Sequence, residues 1–137
     1  MFEKSKKVIL RALVVPACMA VMSMTAFAGN SFEGYDTNVG MLNGSGYSNT
    51  QVKATSGANG AINSTSVSGD YLVDVRMEKN DGSACGDWFR DLNDNMQTGY
   101  VIDGHKGQAY GDSVRLKFSN DLTTLVKVQV VGTWCSQ

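Results

Sequence analysis

The chain has 137 residues, a formal net charge of −1, fifteen glycines, one proline, three cysteines and one histidine. That length suits a single domain with one modest core. A charge balance this close to neutral lacks the basic surplus that neutralises nucleic-acid phosphates or draws a protein to anionic lipid.

The first 28 residues predict a cleavable secretory signal peptide, leaving 29–137 as a secreted, extracellular domain. Lys4, Lys6, Lys7 and Arg11 form a basic head, residues 12–28 carry no charge, and Ala26-Phe27-Ala28 places small residues before Gly29. The run is short for a membrane span, which takes about 20 apolar residues. A rival reading takes Val15-Pro16-Ala17-Cys18 as a lipoprotein box with lipid on Cys18. The residues after Cys18 are apolar rather than a polar tether, which favours cleavage after Ala28.

Residues 29–137 carry eight Lys and Arg against twelve Asp and Glu, a formal charge of −4, and no further run able to span a membrane. They keep Cys85 and Cys135, an even pair, for which export predicts a disulfide. Such a bridge would close a loop of roughly 50 residues, for which chain entropy gives about 4 kcal/mol.

In chain order, residues 40–69 are rich in Ser, Thr, Asn, Gly and Ala, and weak alternation over 47–54 and 61–67 predicts short strands rather than disorder. Val73, Val75 and Met77 interleave with Asp74, Arg76 and Glu78, predicting a strand over 71–79 that Asn80-Asp81-Gly82 turns back. Tyr100-Val101-Ile102 forms a short apolar run, broken afterwards by Gly104, Gly107 and Gly111. Val114, Leu116 and Phe118 predict a strand over 112–118, and Val126, Val128 and Val130 one over 123–134. Ser119-Asn120-Asp121 between them reads as a hairpin turn. The sum is an all-β domain of about six to eight short strands, an antiparallel sandwich or barrel.

Asp91, Asn93, Asp94 and Asn95 are the densest oxygen cluster. Asp91, Asn93 and Asn95 are spaced like the start of a calcium loop, but Met96 and Ile102 stand where that loop needs Gly and Glu. Asp and Asn equally favour turns, and the turn reading is preferred. His105 lies in a glycine-flanked stretch with no recognisable nucleophile, so it reads as a loop residue. No catalytic pair of carboxylates, metal set or cofactor motif stands out. Trp88, Phe89 and Trp134 flank the two cysteines. They would either pack around the bridge or form an aromatic patch for sugar, membrane surface or protein.

Gly44-Ser45-Gly46-Tyr47-Ser48-Asn49, the Ser/Thr/Asn-rich strands and the ending Val130-Val131-Gly132-Thr133-Trp134 resemble small secreted β-sandwich proteins of Gram-positive bacteria. Those include the lactococcin-like bacteriocins and related uncharacterised families. The resemblance implies an exported β protein and, in the bacteriocin case, interference with cell-wall synthesis through a wall precursor. It carries no site residue onto this chain. The expected function is non-enzymatic binding at or outside the cell envelope, with an envelope component or another protein as partner. Two alternatives remain: a small hydrolase or inhibitor drawing on Asp87, Asp91 or Asp103, and a surface-layer component pairing edge to edge.

Overall fold

A computed structural model of the chain describes residues 31–137. The leader, its cleavage after Ala28 and the rival lipidation of Cys18 lie outside the described residues. The described residues form nine strands: β1 (Glu33–Val39), β2 (Ser45–Tyr47), β3 (Gln51–Val52), β4 (Gly60–Val67), β5 (Val73–Lys79), β6 (Phe89–Leu92), β7 (Met96–Ile102), β8 (Ser113–Asn120) and β9 (Val128–Cys135). All strand pairs are antiparallel. One sheet runs β1-β9-β4-β7; the other runs β2-β8-β5-β6, with β3 also paired to β8.

The alternating patterns explain the layers. Val73, Val75 and Met77 of β5 and Val114, Leu116 and Phe118 of β8 point into one core. Tyr35, Val39, Ile62, Val128, Val130 and Trp134 meet them from the opposite sheet, and the Tyr35 and Phe118 rings lie 5.0 Å apart. The sheets therefore face each other as a sandwich, with the polar members of β5 and β8 turned outward.

Four expectations change. The strand count is nine rather than six to eight, because residues 40–69 supply three strands. Ser119-Asn120-Asp121 is not a hairpin turn, since β8 and β9 lie in different sheets and residues 121–127 carry the chain across. The last strand accordingly begins at Val128 rather than 123. Finally, no S–S bond joins Cys85 to Cys135, although both are buried. Cys135 sits in β9 opposite Ala61, whereas the Cys85 amide is held by the Met77 carbonyl beside the other sheet. Both cysteines nonetheless act electrostatically on the buried Lys53 ammonium.

Buried polar side chains tie the sheets together. Gln51 donates from Nε2 to the Trp134 carbonyl at 2.9 Å, and its Oε1 accepts the Ser136 amide at 2.8 Å. Lys53, wholly buried, donates its ammonium to the Ala58 and Ser136 carbonyls. Burial pushes its pKa down, and the nearby Cys85 and Cys135 thiols pull it back up. At the other end Asn120 donates to the carbonyls of Val39 (3.2 Å) and Gly40 (2.9 Å).

Candidate functional site

The outward face of the five-stranded sheet gathers side chains that the core does not need. Register sets them in rows. Ser45 of β2 opposes Ser119 of β8, which opposes Asp74 of β5. In the next row Tyr47 opposes Lys117, which opposes Arg76. In the third, Arg115 opposes Glu78. Trp88, just before β6, and Arg90 within it flank this grid on the β5 side.

Glu78 is the hub. It points to the outer face yet is only 1% exposed, because two arginines cover it. Arg115 places Nε and Nη2 at 3.0 and 2.8 Å from its Oε1, and Arg76 places Nη2 at 3.3 Å from Oε2. Each guanidinium also covers an aromatic ring, Arg115 lying 4.0 Å from the Tyr47 centroid and Arg76 4.7 Å from that of Trp88. Charge-assisted hydrogen bonds and cation–π contacts thus fix both rings. Arg90 adds a second guanidinium 5.8 Å from Trp88 and a 2.6 Å ion pair to Asp74.

A polar groove of about 290 Å³ runs along this grid, lined among others by Asp74, Trp88, Arg90, Lys117 and Ser119. It offers an aromatic edge, carboxylate and amide acceptors, and hydroxyl, guanidinium and ammonium donors on neighbouring strands.

The three aromatic candidates separate. Trp88 lines this groove. Trp134, on β9, is 1% exposed in the core, and Phe89 packs against the core with its ring edge-on to Tyr100. Trp88 thus stands on the outer face while Trp134 and Phe89 serve the core. The Asp91, Asn93 and Asn95 stretch carries the turn between β6 and β7. Asp91 and Asn95 hold left-handed backbone (φ 60° and 59°), which Asp and Asn tolerate, and the Asp94 carboxylate accepts the Val67 amide. No group of three or more His, Cys, Asp or Glu side chains placed to hold a metal occurs among the described residues.

Asp87 and Asp103 come together, the Asp87 amide donating to Asp103 at 2.9 Å, while the Asp91 amide instead meets Asp74. The Asp87 side chain is 73% exposed and pairs with Lys106. Burial works against the Asp103 charge, but hydrogen bonds from the Asp87 amide and from the His105 ring and amide prevail, bringing its pKa down to about 2. His105 is thus a partner of Asp103 in an exposed loop.

Tyr47, Arg76, Glu78, Arg115 and Lys117 escape sequence reasoning as a site. The alternation of charges on β5 and β8 marks them as outward, but only the β2–β8–β5 register sets them side by side. A second missed feature is apolar. Leu42, Leu122 and Leu125 are 53%, 74% and 71% exposed on two loops joined by the Leu42 amide and the Thr124 carbonyl.

No family profile, curated protein or solved structure matches this chain.

Proposed function

We propose that this chain is a non-catalytic binding module acting at or outside the cell envelope, and that it holds a saccharide on the outer face of the five-stranded sheet. The observation that carries this reading is the preassembled pair of rings, Tyr47 and Trp88, locked by two arginines onto the buried carboxylate of Glu78. A buried carboxylate is costly to desolvate, and apolar residues in place of the whole Arg76–Glu78–Arg115 set would hold the sheet about as well. Placing it under two arginine–aromatic pairs makes sense if the rings must stand in fixed positions for a ligand.

A hydroxyl-rich ligand suits the groove. Sugar rings present C–H faces to aromatic surfaces and hydroxyls to mixed donors and acceptors, and Asp74, Arg90 and Ser119 supply both kinds. Such a platform needs no catalytic pair. The acids that a hydrolase would recruit are turned elsewhere, Asp87 and Asp103 being spent on each other's loop.

Isothermal titration of the protein with isolated bacterial wall polysaccharides tests the proposal. Saturable binding is expected, weakened about tenfold by Trp88→Ala, the loss of one ring contact worth about 1–1.5 kcal/mol. Absence of binding to any wall saccharide, with the protein folded, would remove this reading.

A further inference from the structure

The charge of the groove is out of keeping with the rest of the chain. Residues 29–137 carry −4 overall, yet four of their eight cations, Arg76, Arg90, Arg115 and Lys117, stand on this one face beside only two acids, Asp74 and Glu78. The acids are already spent. Arg90 takes Asp74, and Arg76 and Arg115 share Glu78. Lys117 has no ion pair among the described residues, although it lines the groove.

Its neighbours make matters worse. Lys117 lies directly across the strand pair from Arg76. Like charges in that position repel and destabilise a sheet. Arg76 Nε is in addition buried with no hydrogen-bond partner, an uncompensated donor beside the same site. The central row of the grid therefore holds a standing excess of positive charge and an unused donor, and at Lys117 a neutral residue would serve the fold at least as well.

We propose that the saccharide bound on this face is anionic, and that its carboxylate or sulfate group is received by Lys117 with Arg76 beside it. This rests on the saccharide reading above and narrows it. The anion would offset the Lys117–Arg76 repulsion. The flanking rings, Tyr47 and Trp88, would carry the neutral faces of the same chain. Lys117 reads the charge as a point cation on a flexible stem, which suits either anionic group.

Matched polymers separate the charge from the sugar. Polygalacturonate is compared with its methyl ester, and dextran sulfate with dextran, by titration against the intact protein and against Lys117→Gln. The expected result is binding to at least one anionic polymer and not to its neutral counterpart. Which pair responds tells carboxylate from sulfate. Binding should weaken steeply with added salt and fall about tenfold in Lys117→Gln, the loss of one charge-assisted contact. Lys117→Gln should melt no lower than the parent, since it relieves a like-charge pair. Equal binding to both members of each pair, or unchanged binding by Lys117→Gln, overturns the anionic assignment and leaves the saccharide reading standing. Binding to none of the four polymers overturns the anionic assignment, and if wall saccharides also fail to bind, the broader reading falls with it.

Discussion

Gly132 shows how tightly single positions on β9 are set. A β-carbon there would collide with the Asn63 carbonyl and the Tyr35 hydroxyl, because β9 runs between β1 and β4 with no room above it. Gly132→Ala is expected to lower stability by about 1–3 kcal/mol or more, read from urea unfolding, since rigid neighbours on both sides must move. Trp134, two residues on, fills the core from the same strand. Trp134→Ala should cost about 3–5 kcal/mol in the same assay, while Trp88→Ala should cost far less because Trp88 stands on the outer face. Asp103 gives a pH signature. Its folded pKa of about 2 lies below the ordinary aspartate value of about 3.9, so its contribution is complete above that ordinary value and is lost as pH falls through the folded one. The protection of the Asp87 amide, its exchange relative to the intrinsic rate, should therefore fall between about pH 4 and 2, and Asp103→Asn should remove that pH dependence.

Among the elements, the long strands are the ones that the sequence makes legible. β5, β8 and β9 each bury one side of an alternating Val, Leu, Met or Phe series, so a period of two suffices to find them. Their partners are another matter. Ser119-Asn120-Asp121 has the composition of a hairpin turn, but Asn120 faces inward and spends its amide on the carbonyls of Val39 and Gly40. Local turn chemistry cannot reveal that a strand will leave one sheet for the other, because that choice is made by contacts some eighty residues apart. The same limit hid the sheet ties. Gln51 and Lys53 sit in a Ser- and Thr-rich stretch that looks solvated, yet both are buried. Gln51→Leu is expected to destabilise by about 1–3 kcal/mol, since it strands the Trp134 carbonyl and the Ser136 amide. Leu125→Asn, on the exposed loop joining β8 to β9, should change stability by no more than about 0.5 kcal/mol.

At the scale of the whole molecule, the inner and outer faces of the sandwich differ in chemistry. One side of each sheet closes the shared core, and the outer side of the five-stranded sheet collects half of the cations of residues 29–137 with two fixed rings. The composition shows the acidic total but not this separation, since charge position depends on register. Trp88 stood out in the sequence beside Cys85 and as a candidate binding aromatic, but only the fold places it beside Arg76 and Arg90. The two indoles, one in the core and one in the groove, allow a direct measurement. In Trp134→Phe, Trp88 is the sole remaining indole, so its emission reports the groove alone. Titration of that variant with wall polysaccharide should shift or quench the emission saturably, at the same concentration that titration calorimetry gives for binding. Binding that saturates while the Trp88 emission stays unchanged would contradict a ligand seated on this face.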